Sequence, residues 1–254
     1  MKDRVVVVTG GTQGVGRGIA LSFLQAGAHV FVCARKPPTE PIGNAVYEPL
    51  NVREPAEIDR VIAVVLERYG RLDVWINNAG GAPPRKAAEA SPRFTASIID
   101  LNLTAALVCA QKANAVMQAQ AEGGSIIQIG SVSALRPSPG TAAYGAAKAG
   151  LISATQSLAV EWAPKVRTNV VSPGMVQTEL ADLHYGDARG IAAAAATVPL
   201  ARLATPTDVG DACVFLASKA ASYISGANLV VHGGGERPAF LEAVAAASSG
   251  ERTS

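Results

Sequence analysis

The chain of 254 residues is 49% apolar and 17% charged, with a formal net charge of +2 at pH 7. This composition excludes a disordered polyelectrolyte, and the weak charge without a long basic run argues against a nucleic-acid surface. The three cysteines, Cys33, Cys109 and Cys213, are widely spaced, which predicts free thiols in a reducing cytoplasm. The sequence has no recognisable signal-peptide core and no apolar run of membrane-spanning length, so we expect a cytoplasmic protein that does not bind a membrane.

Short β-branched runs alternate with helical patterns along the chain. The predicted strands are Arg4–Thr9, Ala28–Ala34, Val46–Leu50, Val74–Asn77, Ser125–Gly130, Arg167–Val171 and Asn228–Val231. The predicted helices are Val15–Ala26, Pro55–Tyr69, Arg93–Gln120, Thr141–Ala163 and Thr207–Leu216. Because each parallel strand pair needs a crossover helix, the pattern predicts one doubly wound α/β domain over residues 1–235, a Rossmann-type fold with a seven-stranded parallel sheet and helices on both faces.

The segment after this domain has a different composition. Residues 236–254 follow three glycines and form an Ala/Ser-rich tail with a polar end. We expect the tail to be either frayed or a short helix docked through Phe240, Leu241 and Val244.

The first predicted strand runs into a glycine-rich turn that opens a helix. Backbone N–H groups at such a turn favour a phosphate anion, Gly10 can adopt unusual dihedrals, and Gly14 and Gly16 allow close approach to a pyrophosphate. The absence of a Gly-Lys-Ser/Thr sequence disfavours a nucleoside triphosphate P-loop, whereas an S-adenosylmethionine methyltransferase shares this opening. The turn predicts a dinucleotide site formed by Gly10, Thr12, Gln13, Gly14, Val15 and Gly16.

Three side chains in the second half of the chain indicate proton chemistry. Tyr144 and Lys148 are four residues apart on one predicted helix and therefore share a face. A nearby ammonium favours phenolate, so we expect Lys148 to lower the pKa of Tyr144. Ser131 ends a buried apolar strand thirteen residues before Tyr144, and Ser133 and Ser138 are neighbouring alternatives, of which Ser133 is expected to line the pocket.

Four motifs in this order resemble the shorter type of the short-chain dehydrogenase/reductase family. They are Thr9-Gly10-x-x-x-Gly14-x-Gly16, Asn77-Asn78-Ala79-Gly80, Tyr144-x-x-x-Lys148 and Pro173-Gly174-x-Val176-x-Thr178. The resemblance covers Val5 to about Gly235. It implies an oxidoreductase that transfers a hydride between a nicotinamide cofactor and a carbonyl or alcohol substrate, with 3-oxoacyl reductases and ketoreductases as similar enzymes.

The resemblance assigns a catalytic role to four residues. Tyr144 would be the general acid and base, and Ser131 would hydrogen-bond the carbonyl oxygen where negative charge develops. The nicotinamide cation, together with the Lys148 ammonium, would lower the pKa of the Tyr144 phenol. Lys148 would hold the nicotinamide ribose, and Asn102 would hold a water that relays protons toward Lys148; otherwise Asn102 is an ordinary polar helix residue. No metal is expected, because the three histidines lack ligands at metal spacing.

The resemblance also completes the expected cofactor site. Asn78 would brace the central sheet, and Ala79 and Gly80 would pass near the adenine ribose. Val176 and Thr178 would contact the nicotinamide end. Asn51 replaces the aspartate usual in the family, and its amide can still accept a hydrogen bond from adenine. The remaining expected contacts are Val52, Tyr144, Lys148, Pro173 and Gly174.

The residues after the second strand bear on the choice between NADP and NAD. NAD enzymes commonly present an acidic side chain there, whereas this chain has Ala34 followed by Arg35 and Lys36. A guanidinium can bind a 2′-phosphate that a carboxylate would repel. We therefore expect NADP to be preferred, with NAD as the alternative if Arg35 is only a solvated loop charge.

Residues 178–206 correspond to the variable substrate-binding lid of the family. Their small and apolar side chains suit an apolar or medium-sized carbonyl compound, and the lid is expected either to order on cofactor binding or to be a permanently packed helix pair. Relatives that act on carrier proteins have two basic residues beside the active-site entrance. Lys165 occupies one of those places, but Glu122 occupies the other.

The sequence leaves two other functions and one assembly to compare with this expectation. A catalytically silent dinucleotide-binding regulator or scaffold is the alternative to an enzyme, but the full catalytic set favours the enzyme. An extended-type relative acting on nucleotide sugars would need more C-terminal sequence. The family resemblance implies a homotetramer, and the Ala-rich helix Thr141–Ala163 is compatible with close packing between subunits.

Overall fold

The computed structural model describes residues 1–250, apart from the side chains of residues 183, 184, 242, 245, 246 and 248–250. Seven parallel strands form one sheet in the order β3-β2-β1-β4-β5-β6-β7. The strands are β1 Val5–Thr9, β2 His29–Ala34, β3 Val46–Pro49, β4 Val74–Asn77, β5 Gly124–Ile129, β6 Val166–Pro173 and β7 Asn228–Val231. The predicted doubly wound fold is confirmed. Chain order reverses between β1 and β4, and ligands of such sheets bind at the carboxyl ends of the strands beside this point.

The helices cover both faces of the sheet. They are α1 Gly14–Gln25, α2 Pro55–Tyr69, α3 Pro92–Ile99, α4 Ala105–Ala119, α5 Ala142–Glu161, α6 Ala181–Tyr185, α7 Ala188–Thr197, α8 Pro206–Ala217 and α9 Ala239–Gly250. Successive strand residues point to opposite faces, so Val5 and Val7 pack in the core beneath α2 and α4, whereas Val6 and Val8 pack beneath α1 and α8. The sheet therefore separates two hydrophobic cores.

Local sequence signals fix the ends of several helices. Pro55 starts α2 at a position where a missing N–H costs nothing, and Gly70 ends it with φ +66°. At α8, Thr205 accepts a hydrogen bond from the Asp208 N–H, and the Asp208 carboxylate accepts one from the Thr205 N–H. This capping box fixes the point where the chain leaves the lid segment.

The helix predicted over Arg93–Gln120 is interrupted. A π-helical turn at Asp100–Thr104 separates α3 from α4, and Asn102 lies inside this turn. By length and composition Pro92–Ala119 could span a membrane, contrary to the sequence prediction, but Cys109 and Met117 are fully buried against the sheet. In this fold one face of α4 packs against the sheet.

The C-terminal tail is a helix, α9, over most of its described length. Three of its apolar side chains, Phe240, Leu241 and Val244, are 65%, 53% and 61% exposed. The helical alternative is thus observed, but these side chains remain mainly at the surface of the single chain.

Candidate active site

The glycine-rich turn packs tightly against the ends of two strands. Gly10 adopts φ +63°, and its N–H donates to the Cys33 carbonyl at the end of β2 over 2.7 Å. A Cβ on Gly10 would lie 2.9 Å from the Ala79 Cα, and one on Gly16 would collide with the Gly10 carbonyl oxygen. A side chain at either position would push the turn away from its neighbours, so both glycines are needed for the close approach.

Asn78 fixes this turn from the end of β4. Its side-chain amide donates to the Thr9 and Gly10 carbonyl oxygens over 2.9 and 3.1 Å. The Thr9 hydroxyl in turn accepts from the backbone N–H groups of Asn78 and Ala79. The Asn78 brace expected from the sequence is therefore present, and it joins the two strand ends that flank the reversal in chain order.

The N-terminus of α1 holds a carboxylate. Its first residue, Gly14, donates its N–H to Glu179 Oε1 over 2.9 Å. Gln13 makes no side-chain capping bond, and the first turn of α1 has no acidic residue, so Glu179 supplies an anion that the helix itself lacks. An anion thus occupies the position expected for a phosphate, and the turn fits a dinucleotide diphosphate. No sequence motif pointed to Glu179, although it directly follows Thr178.

The expected adenine end lies at the carboxyl ends of β2 and β3. The Ala34 carbonyl accepts from the Leu50 N–H and the Tyr47 hydroxyl, which holds the two strand ends together. Arg35 is exposed immediately beyond this point. Asn51 Oδ1 accepts from the Arg53 N–H at 3.3 Å, so this acceptor already serves a local turn. The neighbouring Val52 belongs to the core.

Ser131, Tyr144 and Lys148 come together beyond the end of β5. Lys148 Nζ lies 5.6 Å from the centroid of the Tyr144 ring and donates to the Ile129 carbonyl over 2.7 Å. Burial raises the pKa of Tyr144, and hydrogen bonding with Ser131 partly offsets this effect. Within the chain itself, loss of hydration thus outweighs the hydrogen bond with Ser131, and the lowering expected from Lys148 together with the nicotinamide cation stays a prediction.

Burial has the opposite effect on Lys148. The side chain is 3% exposed, and loss of hydration lowers its pKa from 10.5 to about 8. An ammonium loses more solvation than a neutral amine when it is buried, so the neutral form becomes accessible near physiological pH. Lys148 is still mainly protonated at pH 7.

Asn102 binds the backbone of a neighbouring loop. Its side-chain oxygen accepts from the Gly81 N–H at 2.8 Å, and its amide nitrogen donates to the Gly81 and Ile98 carbonyls, both at 2.9 Å. A Cβ on Gly80 would lie 2.6 Å from Asn102 Oδ1 and 3.5 Å from Lys148 Nζ. The side chain of Asn102 thus positions the Gly80–Gly81 loop beside Lys148, while the water relay stays a prediction.

Ser133 and Ser138 extend the hydrogen bonding from Ser131 into a neighbouring cleft. The Ser133 N–H donates to Ser131 Oγ, and Ser138 Oγ donates to Ser133 Oγ, each over 3.1 Å. Both serines line an open cleft of about 340 Å³ together with Pro137, Ala142 and Ala146. Hydrogen bonding of Ser131 with the Tyr144 phenol acts against the rise in the pKa of Tyr144.

The segment after β6 passes over the glycine-rich turn. The Gly174 N–H donates to the Val231 carbonyl over 2.9 Å, which continues the pairing with β7 beyond Pro173. Val176 forms an isolated bridge with Ala204, which joins the two ends of the predicted lid. The methyl group of Thr178 lies 3.8 Å from where a Gly14 Cβ would be. The segment therefore reaches the expected cofactor site before α6 and α7 begin.

Glu122 and Lys165 are not at the active-site entrance of this chain. Glu122 pairs with Arg4 and Arg71 at 2.7 and 2.9 Å, beside the amino ends of β1 and β4. Lys165 directly precedes β6 and donates to the Gln118 carbonyl. Both residues thus lie at the amino ends of the strands, whereas Tyr144 lies beyond the carboxyl ends. The expectation that they flank this entrance is wrong. In a parallel sheet the active site lies at the carboxyl ends of the strands, whereas residues that precede a strand lie at its amino end.

No group of three or more His, Cys, Asp or Glu side chains that could hold a metal ion occurs within the described part of the chain. The site brings the phenol of Tyr144, the hydroxyl of Ser131 and the ammonium of Lys148 together near the glycine-rich turn.

Known proteins show the same pattern. A family model described as enoyl-(acyl carrier protein) reductase matches residues 10–236. The 3-oxoacyl-acyl-carrier-protein reductase of Salmonella typhimurium is 36% identical over 242 residues, with 92% of this chain and 97% of the relative covered. L-rhamnose-1-dehydrogenase of Scheffersomyces stipitis is 30% identical over 248 residues, covering 92% and 96%.

A solved structure of a dehydrogenase has a similar fold. Ligand-free aldohexose dehydrogenase of Thermoplasma acidophilum superposes with a TM-score of 0.86 at 32% identity, covering 92% of this chain and 94% of the other. The motifs, the sheet order and these relatives lead to one conclusion: the chain belongs to the short-chain dehydrogenase/reductase family and is an oxidoreductase of that family.

Proposed function

We propose that this protein interconverts a carbonyl compound and its alcohol with NADP(H), using Tyr144 as the proton donor and acceptor. The observation that carries the proposal is the meeting of Ser131, Tyr144 and Lys148 beside the braced glycine-rich turn. Bound there, the cofactor supplies the hydride. The protein supplies orientation, proton transfer and stabilisation of the developing charge.

Each side chain of the site has a distinct proposed task, at the reacting oxygen or at the cofactor. The Ser131 hydroxyl donates to the carbonyl oxygen, where negative charge develops, and the Tyr144 hydroxyl transfers its proton there. Lys148, held by the Ile129 carbonyl, binds the nicotinamide ribose. Asn102 positions the Gly80–Gly81 loop beside Lys148 and is the proposed holder of a relay water. Pro173, Gly174, Val176 and Thr178 are the proposed contacts of the nicotinamide end.

The protonation state of Tyr144 suits carbonyl reduction at neutral pH. A tyrosine hydroxyl is protonated at pH 7 even at its ordinary pKa, and burial raises the pKa of Tyr144 further, so the proton is available for donation. Alcohol oxidation needs the phenolate, which becomes more abundant as the pH rises. We therefore expect the rate of reduction to prevail near pH 7 and the rate of oxidation to increase in alkaline solution.

The proposed substrate is an apolar or medium-sized carbonyl compound or the corresponding alcohol. Relatives of similar identity are named for 3-oxoacyl, sugar and steroid substrates, so 3-oxoacyl thioesters are one candidate among several. We propose that residues 178–206 close over the substrate when the cofactor binds. Stronger amide protection of α6 and α7 with NADPH than without it would support this closure, and equal protection would favour a permanently packed pair.

The decisive experiment replaces single hydroxyl groups. Tyr144→Phe should keep the fold and cofactor binding but reduce turnover by roughly 10²–10⁴-fold on a panel of ketones and alcohols. Ser131→Ala should cost a similar or smaller factor, and Ser133→Ala is the matched control with a small effect. A Tyr144→Phe variant as active as the parent would refute the assignment. A parent protein that binds NADPH but turns over no compound would support the silent regulator instead.

A further inference from the structure

The bond between Gly14 and Glu179 joins segments that are 165 positions apart in the chain. Glu179 is exposed, so water is available to its carboxylate, yet Oε1 lies 2.9 Å from the first N–H of α1. The second oxygen, Oε2, lies 4.0 Å from where a Gly14 Cβ would be. The carboxylate therefore sits over the glycine itself, against the positive end of a twelve-residue helix.

The proposed function puts the cofactor diphosphate at this same place. A backbone N–H that donates to a carboxylate is not available to a phosphate oxygen, and the two anions repel each other. We propose that Glu179 competes with the diphosphate for the N-terminus of α1, so that it limits cofactor affinity and fastens the start of the lid to the glycine-rich turn until the cofactor displaces it. This inference rests on the proposed function.

The competition has a reciprocal consequence. Cofactor affinity is reduced by the fraction of molecules in which Glu179 covers Gly14, because only the uncovered form binds. By the same linkage, a diphosphate that binds must release Glu179 and with it the chain that leads into α6. Thr178 directly precedes Glu179 and already lies against the turn, so the release acts on the segment expected to meet the nicotinamide. Displacement of Glu179 thus couples diphosphate binding to movement of the lid.

Binding of cofactor fragments tests the competition without relying on turnover. The variants are Glu179→Ala, which removes the carboxylate, and Glu179→Gln, which keeps an acceptor but removes the charge. Asp182→Asn is the matched control, because it removes one negative charge from an exposed position three residues further on. Calorimetry should show that ADP and NADPH bind about 2- to 10-fold more tightly to Glu179→Ala, with a smaller gain for Glu179→Gln. Adenosine, which lacks the diphosphate, should bind all variants equally.

Hydrogen exchange provides the second measurement. In the parent protein, ADP should speed exchange at residues 181–186 because it releases Glu179 without supplying a nicotinamide. In Glu179→Ala these amides should already exchange faster, and ADP should add nothing.

Three results would overturn the inference. If the parent binds ADP but both Glu179 variants bind it no more tightly, Glu179 does not compete, and the proposed function is untouched. A Glu179→Ala variant that is less stable but has unchanged ADP affinity would make Glu179 a simple helix cap. Failure of the parent to bind either ADP or NADPH would remove both this inference and the proposed function.

Discussion

Lys148 places an ammonium group in the protein interior, where it donates to the Ile129 carbonyl. Burial lowers the pKa of Lys148 to about 8. Below pH 8 the side chain is protonated in both the folded and the unfolded chain, so the folded state carries the full free-energy cost of burying the charge. Between pH 8 and 10.5 the folded state releases the proton while the unfolded state keeps it. Stability contributed by this group therefore rises with pH through that interval.

A pH series of unfolding experiments on the parent and Lys148→Met tests this cost. The parent should gain on the order of 3 kcal/mol relative to the variant between pH 8 and 10.5. Loss of the bond to Ile129 destabilises the variant at every pH, so only the slope of the difference is informative. A difference that stays constant across this range would contradict the lowered pKa.

Arg35 carries the proposed preference for NADP. Arg35→Ala should weaken NADPH binding by about 1.5 kcal/mol, roughly tenfold in Kd, while NADH binding changes little, because only NADPH has the 2′-phosphate. Arg68→Ala is the control. Arg68 is also exposed, but it lies in the last turn of α2, near the amino ends of the strands and away from the expected cofactor site. Tighter binding of NADH than of NADPH to the parent would refute the preference.

At the scale of elements, the π-helical turn brings Asn102 to the Gly80–Gly81 loop. Replacing Asn102 with Ala removes its hydrogen bonds to the Gly81 N–H, the Gly81 carbonyl and the Ile98 carbonyl, at a net cost of about 0.5–1.5 kcal/mol for each bond. Chemical unfolding and hydrogen exchange at Gly81 measure this cost. Asn114→Ala is the comparison, because the Asn114 side chain accepts only from Gln118 within the described contacts of α4. Equal stabilities for both variants would show that the loop does not depend on Asn102.

At the scale of the whole molecule, the outer surface of α5 is suited to a second copy of the chain. Its exposed positions include Ala146, Ala149 and Ser153, whose small side chains let another helix approach, and Val160 is 80% exposed. We expect light scattering to give four times 25.9 kDa, the mass of one chain. Ala149→Arg should lower that mass, whereas Ala63→Arg on the exposed side of α2 should not. A parent mass of one chain would refute the tetramer.

The sequence by itself determined the doubly wound fold, the glycine-rich turn, and the spacing of Ser131, Tyr144 and Lys148. These features are local: apolar runs, glycine positions and an i, i+4 pair depend on neighbouring residues, and the crossover rule then leaves few ways to order the strands. Even here the interruption of the helix near Asn102 was missed, because a single π turn leaves no periodic signal in the sequence.

Only the tertiary structure decided features that depend on distant segments. Glu179 meets Gly14 because the chain beyond β6 crosses the end of β1, and Glu122 lies far from Tyr144 because it precedes its strand rather than follows it. The pKa of Tyr144 rises for the same kind of reason. Helical spacing predicts that Lys148 lies nearby, but the extent to which surrounding elements exclude water is a property of the assembled fold, and here its effect on the pKa outweighs the hydrogen bond with Ser131.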